Sequence, residues 1–166
     1  MIEYRAKANY LSAFPKFVDW PDAAFPSASA PIRICVFGDF SFGTSLASRT
    51  QATRIRGRSI EVRWARKDLE LRGCQILFVS RSEAGRYPAV LRAVRGESVL
   101  TVGETPDFLR EGGAIEFRYT GNQLQFAVDL NAVSDAHLRI SSSMLAMASH
   151  VVGPVAVRSQ VPSQPD

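Results

Sequence analysis

The sequence predicts a single α/β domain in which a mixed, mostly parallel sheet of about six strands is flanked by helices and includes an antiparallel C-terminal hairpin. Short apolar runs alternate with amphipathic stretches along the chain, which is typical of strand–helix–strand units. The 166 residues leave room for one hydrophobic core. We expect residues 1–152 to form this domain and residues 153–166 to form a flexible C-terminal tail.

The first helix is predicted over residues 3–18 by apolar residues at spacings of three and four, which lie on one side of a helix. Pro15 removes a backbone donor, so we expect a kink near the end of this helix. The apolar residues of this stripe are Tyr4, Ala8, Leu11, Phe14, and Phe17 or Val18.

The strands are predicted by short apolar runs rich in β-branched residues. In one of them Ile60, Val62 and Trp64 alternate with Glu61 and Arg63, which predicts one buried side and one solvent-facing side. The predicted strands cover residues 32–37, 60–65, 75–79 and 99–102, with a hairpin of 114–119 and 123–128 at one edge of the sheet.

The remaining helices follow from amphipathic spacing and from capping residues. Thr105 before Pro106 predicts the start of a short helix, and Pro88 argues against an unbroken helix over residues 83–94. The predicted helices cover residues 44–50, 83–94, 106–110, 131–137 and 141–151, and a short turn covers 68–71.

The chain is mildly basic, with a net charge of +4 and much of the excess between residues 49 and 72. Acidic residues interrupt that stretch, which favours a solvated surface over a phosphate-binding or lipid-binding patch. We therefore expect no nucleic-acid partner.

No apolar run approaches the ~20 residues of a membrane helix, so we expect no membrane insertion. The N-terminus lacks a signal-peptide pattern, which leaves either a cytosolic protein or a mature domain without its leader.

Motifs for cofactor, metal or covalent chemistry are missing from the sequence. His137 and His150 have no partners at metal-ligand spacing, so we expect surface or capping roles for them. Residues 38–43 stand where a phosphate-binding loop would lie, but they lack the glycine spacing and lysine of such loops. Cys35 and Cys74, taken as residues alone, are interpreted as buried apolar side chains. We predict no cofactor.

Polar residues follow three of the predicted strands at their carboxyl ends, where open α/β sheets bind ligands. These exits could form one small pocket, although solvent-facing turns are the favoured explanation because every such fold has polar loops there. An acid–base pair of Asp39 and Glu104 is the only arrangement here that would suit an enzyme. The candidate pocket residues are Gly38, Asp39, Ser80, Arg81, Gly103 and Glu104.

A series of short segments covers roughly residues 3–150 in a characteristic order. The segments are Tyr4 with KANYL (7–11), FPKFVDWP (14–21), ICVFGD (34–39) with Phe42-Gly43, Gly57-Arg58, CQILFVS (74–80), LTVGE (100–104), GGAI (112–115), FAVDLN (126–131) and LRISS (138–142). In this order they resemble the segments of the YfiR family. No single segment is diagnostic, but their number and order make the resemblance specific.

This resemblance implies a non-enzymatic periplasmic regulator that self-associates, as a homodimer for example. The best-known members of the family restrain a membrane-bound diguanylate cyclase by binding its periplasmic sensing domain. When the cyclase is released, it makes cyclic-di-GMP and promotes biofilm formation. The resemblance therefore implies an export signal in the precursor, upstream of Glu3. The alternatives are a small-ligand sensor using the strand-end crevice and, least favoured, a flavodoxin-like or nucleotide-dependent enzyme.

The resemblance also implies a disulfide, because Cys35 and Cys74 fall where the family has cysteines and the periplasm is oxidising. Our hypothesis is that the redox state of this pair tunes stability and, through it, repressor activity. The family's second, C-terminal cysteine pair has no counterpart in this chain.

Overall fold

The computed structural model describes residues 2–39, 43–66 and 68–153, which form helices, strands and short 3₁₀ segments around one large sheet. The strands are β1 (Val18–Asp19), β2 (Ile32–Phe37), β3 (Arg54–Ile55), β4 (Arg58–Ala65), β5 (Ile76–Val79), β6 (Leu100–Gly103), β7 (Ile115–Thr120), β8 (Gln123–Asp129), β9 (Arg139–Ile140) and β10 (His150–Val152). The α-helices are α1 (Ile2–Ala13), α2 (Gly43–Thr50), α3 (Asp68–Leu71), α4 (Tyr87–Ala93), α5 (Leu130–Asp135) and α6 (Ser142–Met147). The 3₁₀ segments are Phe14–Phe17, Asp22–Ala24 and Arg81–Arg86.

The main sheet has eight strands in the order β10-β8-β7-β6-β5-β2-β4-β3. Neighbouring strands run parallel except in the β7–β8 and β3–β4 hairpins. A separate two-stranded antiparallel sheet joins β1 to β9. The predicted mixed, mostly parallel α/β sheet with a C-terminal hairpin is confirmed, with two more strands than expected.

The sheet separates two hydrophobic clusters. The larger cluster takes in Ala8 and Leu11 of α1 and Phe14 of the following 3₁₀ segment, each at most 1% exposed, together with side chains of α5 and α6. The smaller cluster joins α3 and α4 to the opposite face of the sheet. The apolar stripe predicted for the first helix is thus its buried side. The α-helix ends at Ala13, and a 3₁₀ turn that includes Pro15 continues it to Phe17.

A disulfide joins Cys35 in the middle of β2 to Cys74, just before β5. Their Cα atoms are 5.9 Å apart, which is the usual separation for a disulfide. Both cysteines belong to the smaller cluster and are buried. The bridge reinforces two neighbouring parallel strands, so these cysteines are a cross-link as well as apolar packing.

The helix predicted over residues 106–110 is wrong, because this segment forms turns. Phe108 is fully buried and packs on Gly103 and Gly113, where an added Cβ would overlap its ring. The amide of Leu109 donates to a side-chain oxygen of Glu116 at 3.0 Å. The Leu109 amide and the Phe108 side chain are therefore held by tertiary contacts, which override the local preference for a short helix.

The predicted helix over residues 141–151 is too long. It ends at Met147, and His150–Val152 forms β10, which pairs in parallel with β8. Both the amide and the hydroxyl of Ser149 donate to the carbonyl oxygen of Phe126, at 2.8 and 3.1 Å, which begins this pairing. The hairpin consequently does not lie at the edge of the sheet, as we had expected.

Other differences are smaller. Trp64, predicted on the buried side of its strand, is 46% exposed because it lies at the end of β4, near the rim of the sheet. The segment 81–86 is a separate 3₁₀ turn before α4, as Pro88 indicated, and residues 68–71 form the short helix α3. The short strands β1, β3 and β9 were not predicted. Residues 154–166 of the expected tail lie outside the described part of the chain.

Removing the disulfide should lower stability without changing the fold. The 39-residue separation corresponds to about 4 kcal/mol of lost loop entropy in the unfolded chain. We expect Cys35→Ala/Cys74→Ala to lose about that free energy of unfolding in urea. Reductant should destabilise the native protein similarly and leave the double variant unchanged. Two free thiols in the air-oxidised native protein would contradict this prediction.

Candidate functional site

The carboxyl ends of β2, β5 and β6 are adjacent, and the polar exits predicted there are in contact. The amide of Asp39 donates to the Ser82 hydroxyl at 3.2 Å, and the amide of Arg81 donates to Glu104 Oε2 at 2.7 Å. Ser80 accepts a hydrogen bond from the amide of Ser82 and caps the 3₁₀ turn. The structure therefore brings the three predicted exits together in one row.

The two glycines of the predicted pocket have structural roles. Gly38 has a φ of 103°, and a Cβ there would lie 2.8–2.9 Å from atoms of Ser80, Ser82 and Glu83. It permits the β2 and β5 exits to approach closely. Gly103 makes room for the ring of Phe108. Close packing accounts for both glycines, so neither one indicates a bound ligand.

Glu104 is the centre of the charged contacts at this end of the sheet. Its side chain is 0% exposed, and its Oε1 lies 2.5 Å from Nζ of Lys7, which is 1% exposed. The hydroxyl of Tyr4 donates to Oε2 at 3.4 Å. A buried carboxylate needs such partners because its desolvation costs several kcal/mol. Asp39, in contrast, is exposed, so the two carboxylates of the hypothetical acid–base pair lie in unlike environments.

Two more residues complete the cluster. Glu3 forms an ion pair with Lys7 one helical turn later. Arg81 reaches across from the β5 exit to Glu3 Oε2 at 2.7 Å and to Glu104 Oε2 at 3.6 Å. We call this set, Glu3, Tyr4, Lys7, Arg81 and Glu104, the α1 charge cluster. It fastens the first turns of α1 to the exits of β5 and β6.

The cluster changes the acidity of its members. Partial burial alone raises the pKa of Glu3, but the hydrogen bond and charge of Lys7, with Arg81, outweigh it and bring that pKa below its usual value. Burial and then the charge of Glu104 raise the pKa of Tyr4 to about 12. Burial lowers the pKa of Arg81, but Glu104, Tyr4 and Glu3 together outweigh this effect, so the net shift of that pKa is upward. The geometry keeps Glu3 and Arg81 charged and Tyr4 neutral.

A cavity of about 470 Å³ opens beside the cluster, between α1 and the end of β7. On the β7 side Glu116 is 1% exposed and accepts from Arg118 Nε at 2.8 Å. The charged groups lining the cavity thus come in opposite-sign pairs. Its full lining is Glu3, Lys7, Arg81, Glu104, Pro106, Glu116, Phe117, Arg118, Tyr119 and Thr120.

The sequence predicted the strand exits of this site but missed its contributions from α1 and β7. One signal could have found Lys7: it lies one turn from Tyr4 and Leu11, on the apolar side of α1. A lysine in such a stripe indicates a buried ion pair. No comparable signal marks Glu116, because it follows the ordinary alternation of a hairpin strand.

Other predicted candidates have surface or structural positions. His137 and His150 are exposed, and within the described residues no three or more histidine, cysteine or acidic side chains are grouped to hold a metal ion. In the basic stretch, Arg58 stacks on Phe25 at 3.6 Å and donates to the carbonyl oxygen of Ala30 at 2.7 Å. No helix in the described part of the chain has both the length and the apolar character to span a bilayer.

Breaking the buried ion pair on one side should destabilise the domain. Lys7→Met leaves Glu104 buried without its closest cation, which we expect to cost about 3–5 kcal/mol in urea unfolding. The double variant Lys7→Met/Glu104→Gln should recover much of that loss. The matched control Lys16→Met removes an exposed lysine and should stay within about 0.5 kcal/mol of the native protein. Equal effects at Lys7 and Lys16 would refute this account of the cluster.

Solved structures of similar fold include the following two. A crystal structure of a conserved domain protein from Vibrio cholerae O1 biovar El Tor has a TM-score of 0.53 and 10% identity, covering 73% of this chain and 55% of that one. The ABC domain in complex with L-Trp from Streptococcus pneumoniae has a TM-score of 0.52 and 10% identity, covering 72% and 55%. This chain spans just over half the length of each, and at such identity the similarity concerns the fold alone.

Sequence comparison gives a more specific result. No curated protein sequence matches the chain. The model of the YfiR/HmsC-like family, however, matches residues 4–149, which include most of α1, the disulfide and all strands of the main sheet except β10. The resemblance seen in the residue segments is thereby confirmed, and the chain belongs to the YfiR/HmsC-like family.

Proposed function

We propose that this protein is a non-enzymatic periplasmic regulatory domain that binds and restrains a membrane-bound signalling enzyme such as a diguanylate cyclase. The observation that carries the proposal is the family match over residues 4–149. The buried Cys35–Cys74 disulfide supports an oxidising compartment, since such bridges persist in the periplasm and are rare in the cytosol.

The architecture suits a binding role. Each carboxylate of the α1 charge cluster is paired with a cation, so the cluster stiffens the domain. The two hydrophobic clusters pack on opposite faces of a sheet that is cross-linked by a disulfide. Such a domain can present a preformed surface to a sensing domain with little ordering cost on binding. Regulation would then follow from association and release.

Deleting the gene in its native host should raise cyclic-di-GMP and increase biofilm, because the restrained cyclase would be released. Cyclic-di-GMP would be quantified by mass spectrometry of cell extracts. Complementation with the exported protein should restore the original level. A matched version directed to the cytosol should not, since it could not reach a periplasmic sensing domain. Unchanged cyclic-di-GMP after deletion, or full rescue by the cytosolic version, would contradict the proposal.

A small-ligand sensor is a second candidate, favoured by the cavity of about 470 Å³ beside the α1 charge cluster. The pneumococcal domain of similar fold was solved in complex with L-Trp, which makes amino acids a reasonable first set of ligands to test here. A thermal-shift screen of free amino acids and related metabolites tests this function. A ligand at 100 times its Kd should add about 2.7 kcal/mol of stability. Arg118→Ala, at the cavity wall, should reduce that gain, and a flat screen would reject this candidate.

A further inference from the structure

Strand β7 extends past its neighbour β6 at the cavity beside the α1 charge cluster. β6 ends at Gly103, which lies opposite Glu116, whereas β7 continues to Thr120. On its other side β7 pairs with β8 along its whole length. Within the described ranges no strand pairs with residues 117–120 on the β6 side. This end of β7 is therefore an open sheet edge, and it forms one wall of the cavity of about 470 Å³.

The β7–β8 turn determines which backbone groups of this edge face the cavity. The loop 121–122 has φ angles of 57° and 66° and joins the paired residues Thr120 and Gln123, as in a two-residue hairpin. Thr120 therefore directs its amide and carbonyl toward β8, and alternate residues before it do the same. The backbone groups of Phe117 and Tyr119 consequently face away from β8, toward the cavity.

Three of these backbone groups lie beyond the reach of β6. The parallel register, with Gly103 opposite Glu116, uses the amide of Phe117 as a donor to β6. The carbonyl of Phe117 and both the amide and the carbonyl of Tyr119 come after it. No backbone hydrogen bond joins these three groups to a loop in the part of the chain that the structure describes. Unpaired groups spaced along a strand are a template for an extended peptide, which binds as a further strand.

The accessible charge of the cavity is positive. Arg81 and Arg118 stand on opposite walls, at the β5 exit and on β7, and their side chains are 54% and 41% exposed. The carboxylates lie deeper. Glu104 is 0% exposed, Glu116 is 1% exposed and Glu3 is 22% exposed. An incoming molecule therefore meets guanidinium groups first, which favours an acidic ligand.

Both arginines keep hydrogen-bond donors available for such a ligand. Arg118 uses its Nε for Glu116. Arg81 uses Nη2 for Glu3 and directs Nε toward Glu104. Both terminal nitrogens of Arg118, and Nη1 of Arg81, have no hydrogen-bond partner among the described residues. A carboxylate can bind to these groups without displacing the contacts already made.

We infer that this cavity binds an extended segment of a partner protein in which acidic and apolar residues alternate, as an added strand on the end of β7. Backbone hydrogen bonds join the segment to Phe117 and Tyr119. Alternate side chains of a strand lie on opposite faces. An acidic side chain on one face pairs with Arg118, and an apolar side chain on the other face contacts the half-buried Tyr119. The open edge requires a peptide backbone, and the two arginines require its negative charge.

The inference goes beyond the proposed function and does not depend on it. A protein that controls no cyclase could still bind such a segment, and one that controls a cyclase could do so through another surface. It does assign the cavity to a peptide in place of the small ligand considered above, because a single amino acid cannot follow a strand edge. The experiment must therefore separate these two occupants.

The probe is a fluorescein-labelled hexapeptide of alternating valine and glutamate, followed by fluorescence anisotropy. We expect saturable binding with a Kd below about 1 mM. In the expected register the valine amides face β7. The same peptide with N-methylated valines keeps its charge but loses those donors, so it should bind at least about tenfold more weakly. A hexapeptide of alternating valine and lysine should not bind.

Variants of the edge test the backbone and the charge separately. Tyr119→Pro and Tyr119→Val both remove the aromatic ring, but only proline lacks the amide that faces the cavity. The proline variant should bind the glutamate peptide at least about tenfold more weakly than the valine variant. Arg118→Gln should weaken binding about fivefold. The matched control Arg49→Gln removes an exposed arginine of α2 and should stay within about twofold of the native protein.

Circular dichroism would verify that each variant is folded before it is compared. Absence of binding to the native protein at about 1 mM peptide would overturn the inference. So would equal binding of the N-methylated peptide, or equal affinity of the folded Tyr119→Pro and Tyr119→Val variants. Displacement of the peptide by free glutamate or valine at a similar concentration would make the cavity a small-ligand site, which would also overturn it.

Discussion

The buried pair of Lys7 and Glu104 is the contact on which the arrangement of this domain depends. Neither charge has appreciable access to water, so each is tolerable only while the other is in place. The two residues lie 97 positions apart, on α1 and at the exit of β6. Their pairing therefore specifies where the first helix lies on a sheet that forms much later in the chain. The same carboxylate accepts from the backbone of Arg81, which ties the β5 exit to it.

Much of the fold could be predicted because local patterns and tertiary packing agree. The stripe on α1 is the buried side of the helix, and the apolar runs at β2, β5 and β6 are fully or nearly fully buried parallel strands. The failures lie where packing overrides local preference. Phe108 enters the core between two glycines and prevents a short helix, and Ser149 turns the chain onto β8. Neither event has a signature within a window of ten residues.

The candidate site shows the same limit. The exits of three strands could be placed at one edge because parallel strands share their direction, and they do meet there. The residues that contact these exits could not be predicted, because Tyr4 and Lys7 are 100 and 97 positions from Glu104 in the sequence. Sequence spacing records neighbours within an element, whereas a charge cluster assembled from α1, the β5 exit and the β6 exit depends on how the elements pack. Lys7, a lysine within an apolar stripe, was the local sequence signal of this cluster.

The position of the disulfide has a consequence for the protein after damage. The bridge closes the chain between Cys35 and Cys74, and this closed segment contains α2, β3, β4 and α3. The part of the chain that runs out to the edge strand β3 and back therefore begins and ends at the disulfide. A protease that cuts once within residues 36–73 would leave two pieces still linked, with β2 and β5 side by side. Under native conditions only reduction would separate them, so a nicked molecule would persist as one particle.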